Sequence, residues 1–209
     1  MIRTAVGRAV AAAGLAGLLG LAAGCGQITT PTSVDATMLA TAGTTATATA
    51  TQQHVNVNLS ILTGKMLGKA GWPTYVPADF SVPAHALVTV TIRDFDNGPA
   101  PVPAANLKVQ GTVGGTMTVT KALLGNVATL PATKVSSVAA NDVAHTFTSP
   151  GLNLNVPVPP SSTVTFSFRT GAAGTYTWQC FAPCGTGATG WSGPMAENGY
   201  MQGVITVTA

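Results

Sequence analysis

The C-terminal third of the chain carries three soft or borderline side-chain chemistries within a short span: an imidazole, two thiols and thioethers. The imidazole is in Val143-Ala144-His145-Thr146-Phe147. The thiols follow in Gly174-Thr175-Tyr176-Thr177-Trp178-Gln179-Cys180 and in the C-x3-C-G run that continues through Phe181-Ala182-Pro183 to Cys184 and Gly185. Met201 opens the last run, Met201-Gln202-Gly203-Val204-Ile205-Thr206-Val207, and Met195 lies in the Gly-rich stretch before it. Thiolates are soft donors suited to Cu(I), imidazole suits copper generally, and a thioether is a weak axial donor. The same two cysteines also admit a second reading. In an oxidising compartment an even pair closes most simply as a disulfide, here Cys180–Cys184, with no metal.

Placing these groups requires strands, and the patterning supplies them. Val55, Val57 and Leu59 alternate with Asn56, Asn58 and Ser60. Ala86, Val88, Val90 and Ile92 alternate with Leu87, Thr89, Thr91 and Arg93, and that strand ends at the turn Asp94-Phe95-Asp96-Asn97-Gly98-Pro99. Period-two alternation bounded by turn residues reads as β-strand. Leu107 to Val113 and Thr116 to Thr120 suggest a hairpin about Gly114-Gly115. Val143 to Phe147, Thr163 to Phe168, Gly174 to Cys180 and Tyr200 to Val207 complete the set. No amphipathic helix is convincing, Lys121 to Leu130 being the best of a poor set. Short strands with frequent turns predict an all-β protein, an antiparallel sandwich of two sheets.

On these residues the chain resembles the cupredoxins, and among them most the extracytoplasmic copper domain of cytochrome c oxidase subunit II. The V-x-H-x-F histidine, the C-x3-C-G loop and the methionine before the last strand carry the resemblance, which runs from about Phe80 to Val207. Phe80-Ser81-Val82-Pro83-Ala84 before Leu87-Val88-Thr89-Val90-Thr91-Ile92 is similar to the strand that leads to the first ligand loop. The resemblance implies a cupredoxin-like antiparallel Greek-key β-sandwich, copper as cofactor, and a ligand set of His145, Cys180, Cys184 and Met201. It departs at the second ligand histidine, which would stand at Ala188 or Asn198; no histidine follows His145. The acidic residue between the cysteines is also absent. Only His54 and His85 remain as other imidazoles. Nine residues of strand separate His85 from Asp94, roughly 30 Å, which puts His85 at the wrong pole.

Arg3 and Arg8 precede an uncharged run from Ala9 to Ala23, which ends Leu21-Ala22-Ala23-Gly24-Cys25. This is the layout of a secretory signal and is too short to read comfortably as a spanning helix. It resembles a bacterial lipobox, which implies cleavage before Cys25 and a diacylglyceryl anchor on its sulfur; two acyl chains anchor stably where one is marginal. Between Gln27 and Gln53 Thr, Ala, Pro and Ser dominate, a composition that cannot build a core. The expected organisation is therefore a signal peptide over 1–24, a lipidated Thr/Ala-rich tether over 25–53 and a cupredoxin-like domain over 54–209. The expected place is the extracytoplasmic face of a bacterial cell membrane, held to lipid through Cys25, with a redox protein or oxidase as partner.

Arg3 and Arg8 are two of nine basic residues, so the processed chain has seven against six acidic. A balance so near neutral gives no basic surface for nucleic acid. No nucleophile–base–acid set is evident, and no independent catalytic activity is expected. The expected function is copper binding with an electron-transfer or copper-holding role near the respiratory chain. The alternative is a non-redox structural or binding lipoprotein on the same scaffold, pinned by the disulfide.

Overall fold

Residues that are β-branched on one face and small or polar on the other set the strands of the domain, and each apolar face turns to one shared core. The computed structural model of the chain describes residues 52–123 and 128–209. The signal peptide, Cys25 and nearly all of the tether lie outside the described residues. Along the chain the strands are β1 (His54–Leu62), β2 (Thr74–Val76), β3 (Phe80–Pro83), β4 (Leu87–Asp94), β5 (Met117–Leu123) and β6 (Ala128–Thr129). They continue as β7 (Thr133–Val135), β8 (His145–Ser149), β9 (Leu154–Val158), β10 (Ser162–Arg169), β11 (Gly174–Gln179) and β12 (Gln202–Thr208). Among the described residues the helical pieces are single 3-10 turns.

One sheet runs β2-β1-β4-β10-β5-β6 with β7 also on β5, and the other runs β3-β12-β11-β8-β9. Their inner faces share one apolar core. Leu59, Ile61, Val88, Val90, Ile92, Phe166 and Phe168 come from the first sheet, and Phe147, Val156, Trp178, Ile205 and Val207 from the second. Phe147 meets Phe166 across the gap at 6.2 Å between ring centroids. Full burial of each such side chain contributes about 1.5–3 kcal/mol, so the alternation read in the sequence is also the main source of cohesion. The all-β, two-sheet architecture is as expected.

Three local expectations change. The sheets are mixed rather than antiparallel: β1 lies parallel to β4, and β3 parallel to β12. The chain leaves the first sheet after β2, places β3 in the second, and returns as β4. A crossover of that length brings β4 back alongside β1 in the same direction. The expected hairpin about Gly114-Gly115 does not pair its two arms. Lys108 bridges Ser137 and Gln110 bridges Asn155, while β5 pairs with β10, β6 and β7. Gly111, at φ +74°, turns the first arm away; a Cβ there would sit 2.2 Å from the Asn153 carbonyl oxygen. The weak helical stretch from Lys121 is strand at both described ends, in β5 and β6, with 124–127 outside the described residues.

Candidate metal centre

β8 begins at His145, and strand alternation turns both His145 and Phe147 inward, each essentially without solvent exposure. Cys180 directly follows β11, and its N–H donates to the Met201 carbonyl at 2.8 Å, just before β12. Thr146 ties the two strands' ends together at the site. Its N–H donates to Cys180 Sγ at 3.3 Å, its hydroxyl accepts from the Phe181 N–H at 2.8 Å, and its carbonyl accepts from the Tyr75 hydroxyl at 3.1 Å. The Ala182 N–H also points at Cys180 Sγ, at 3.4 Å. Two amide donors converge on a fully buried sulfur, an arrangement that favours thiolate.

The result is a tight triangle. His145 Nδ1 lies 2.9 Å from Cys184 Sγ and 4.0 Å from Cys180 Sγ, and the sulfurs are 3.5 Å apart. Neither cysteine is in a disulfide. Three atoms so spaced share a point about 2.1 Å from each, close to the ~2.0–2.3 Å bonds that imidazole nitrogen and thiolate make to a d10 ion. The donor set therefore fits a soft or borderline metal in a near-trigonal setting, Cu(I) foremost among them.

Acidic groups lie on the imidazole's far side. Asp96 Oδ2 is 3.3 Å from His145 Nε2, in ion-pair range but outside hydrogen-bonding geometry, so Nε2 has no hydrogen-bond partner. Asp94, fully buried at the end of β4, accepts the Asp96 N–H on Oδ1 at 2.8 Å and leaves Oδ2 unpartnered. Burial pushes the Asp94 carboxyl up to about 7 against the charge of His145. Burial opposes charge on His145 as well. Asp96 and Cys180, with the charge of Asp94, outweigh it and push the imidazole up to about 10. For Asp96 the His145 contact leads, and it holds the carboxyl below its usual range. Burial would raise the Cys180 thiol, but Cys184, His145 and the Thr146 N–H together hold it well below the thiol range. Cys184 goes the other way, pushed up first by its contact with Cys180, then by burial and the nearby negative charges. It also sits 3.2 Å from the Ala182 carbonyl, an acceptor for a thiol proton. Metal-free, these shifts favour an imidazolium beside one thiolate and one thiol.

His145, Cys180 and Cys184 thus come together as the sequence implied. Met201 is joined to Cys180 through the backbone, and its side chain is fully buried in the core. Met195 packs partly buried over Gly185. Ala188 and Asn198, where a second histidine would stand, are exposed. His85 is exposed at the opposite pole, with its N–H on the Gly171 carbonyl at 3.2 Å. His54, left open by the sequence, is at that pole too. It pairs with Leu87 at the start of β4, whereas the site lies past Asp94 at its end, and its Nε2 meets Thr89 Oγ1 at 2.8 Å. The residues that sequence reasoning missed are Asp94 and Asp96, read there only as part of the turn that ends a strand. Their signal was positional: they end the strand that points to the site's pole. Tyr75 meets the His145 ring edge-on at 6.5 Å between centroids and packs on Trp178 at 4.7 Å.

No protein-family model matches the chain, and no curated protein matches it in sequence. Solved structures similar to it include reduced auracyanin from Roseiflexus castenholzii, 14% identical over 74% of this chain and 97% of that one, with a TM-score of 0.33. Auracyanin A, a blue copper protein of Chloroflexus aurantiacus, is 16% identical over 74% and 99%, with a TM-score of 0.35. A purple cupredoxin from Nitrosopumilus maritimus is 14% identical over 73% and 99%, with a TM-score of 0.28. Superpositions this loose are likenesses only; the chemistry of the site rests on its own donor atoms.

Proposed function

We propose that the domain is a cupredoxin-type copper protein, tethered to the outer face of a bacterial membrane through Cys25, with an electron-transfer or copper-holding role near the respiratory chain. The carrying observation is the triangle of His145 Nδ1, Cys180 Sγ and Cys184 Sγ, whose spacings leave one point at bonding distance from all three. Met201, whose carbonyl accepts the Cys180 N–H, is the fourth member of the proposed ligand set and would offer copper a weak thioether donor. Copper bound here would supply one-electron chemistry. Cys180 and Cys184 would supply soft charge, and Asp96 Oδ2, 3.3 Å from His145 Nε2, would set negative charge behind the imidazole. Two thiolates with one imidazole form a softer set than the two imidazoles and one thiolate of a blue site, so Cu(I) is favoured and blue colour is weak or absent. The proposed partners are membrane lipid and a redox protein or oxidase.

X-ray absorption on the reduced protein loaded anaerobically with one equivalent of Cu(I) tests this. The expected shell is two sulfurs and one nitrogen near 2.0–2.3 Å. A shell of oxygen and nitrogen donors alone would overturn the site.

A further inference from the structure

Cys184 differs from its two partners in one respect: it can be reached. Cys180 and His145 are 0% and 1% exposed, whereas Cys184 is only partly buried and forms part of the wall of an open cleft of about 430 Å³. The loop after β1 supplies Thr63, Gly64 and Lys65 to the cleft, and the loop after β4 supplies Phe95 and Asn97. Asp96 also borders it, so the cleft reaches the imidazole's carboxylate as well as one sulfur of the triangle. Tyr75, whose ring centroid is 6.5 Å from that of His145, is fully buried, as are Trp178 and Phe147, which pack on Tyr75.

We infer that the cleft is a port for copper exchange, through which an incoming donor ligand meets Cu(I) at Cys184, and that Lys65 at its mouth favours anionic carriers. The inference rests on the copper reading of the triangle. Here copper is cargo and stays cuprous throughout. A donor atom of the carrier bonds to Cu(I) from the cleft side, the bond to Cys184 Sγ breaks, and that sulfur takes a proton from solvent. The bonds to Cys180 and His145 then break in turn, and the freed His145 takes a second proton from solvent. Release by this route is associative, because the buried sulfur and nitrogen cannot be reached first. Charge at the mouth of a cleft alters encounter rates in a salt-dependent way and leaves the bound state largely unchanged.

Two measurements on the reduced protein test the port. In the first, a sulfonated diimine cuprous chelator withdraws Cu(I) from the loaded protein in a stopped-flow instrument. The expected rate rises linearly with chelator concentration and falls several-fold in Lys65→Glu, with the difference shrinking at high salt and the equilibrium copper affinity unchanged. Lys134→Glu, an exposed change on β7, should leave the rate as it is. In the second, methyl methanethiosulfonate labels the metal-free protein. Cys184 should be modified first, and Lys65→Trp, which narrows the mouth, should slow it at least tenfold without moving the unfolding midpoint. A withdrawal rate independent of chelator concentration, or equal labelling of both cysteines, overturns the port while leaving the copper site standing. A reduced protein that labels as expected yet takes no copper overturns the copper site and the port with it.

Discussion

Metal-free, the cluster holds protons that a loaded site cannot keep. Burial works against charge on His145, yet Asp96, Cys180 and Asp94 push its pKa up to about 10. Cys184 stays protonated against the Cys180 thiolate. Metal ligands must be neutral imidazole and thiolate. Loading at pH 7 is therefore expected to release about two protons, one from His145 and one from Cys184. Apparent affinity falls as pH falls, by up to about a hundredfold per unit while both groups remain protonated. Asp96→Asn removes the main support for the imidazolium and leaves burial to oppose it, so proton release should drop toward one. Calorimetry in buffers of different ionisation enthalpy reads the count directly; a wild-type count near zero would contradict the protonation pattern.

Among the elements, the strands were legible because their inward residues repeat every second position. Val88, Val90 and Ile92 in β4 and Val164, Phe166 and Phe168 in β10 are all buried as that alternation requires. β9 was not legible. All five of its residues are buried, so its Asn155 and Pro157 break the pattern while still lying inside. Asn155 is satisfied by the Lys108 and Asn106 carbonyls at 2.6 Å and 3.2 Å, a long-range pairing that no local pattern encodes. The parallel pairs were hidden for the same reason, since direction depends on which sheet β3 joins. At the site, His145 and the cysteines could be named from their motif, but the placement of Asp94 and Asp96 needed the fold. Thr146 is another such residue, for it couples β8 to the cysteine loop. Thr146→Ala leaves the Phe181 N–H without its acceptor and should cost about 1–2 kcal/mol of stability. Urea unfolding of the metal-free protein measures it, and an unchanged midpoint would show that the loop is held elsewhere.

For the whole molecule, two claims meet: a membrane-tethered chain and a cuprous centre. The tether claim expects Cys25→Ser to lose its acyl mass and leave the membrane fraction, and a chain starting at His54 to keep its melting temperature; a wild type with no acyl group on its N-terminal residue would contradict it. The cuprous centre is tested most directly by competition titration with a cuprous chelator, before and after reduction. Reduced wild type should bind one soft-donor copper tightly with little blue colour. Cys180→Ser should weaken binding at least a hundredfold, Met201→Leu by about tenfold, or ~1.4 kcal/mol, and His85→Ala not at all. Air oxidation should block uptake by closing the Cys180–Cys184 bond. If the reduced protein takes no copper, while the oxidised protein melts at a distinctly higher temperature, the cysteines serve as a structural disulfide and the copper account is wrong.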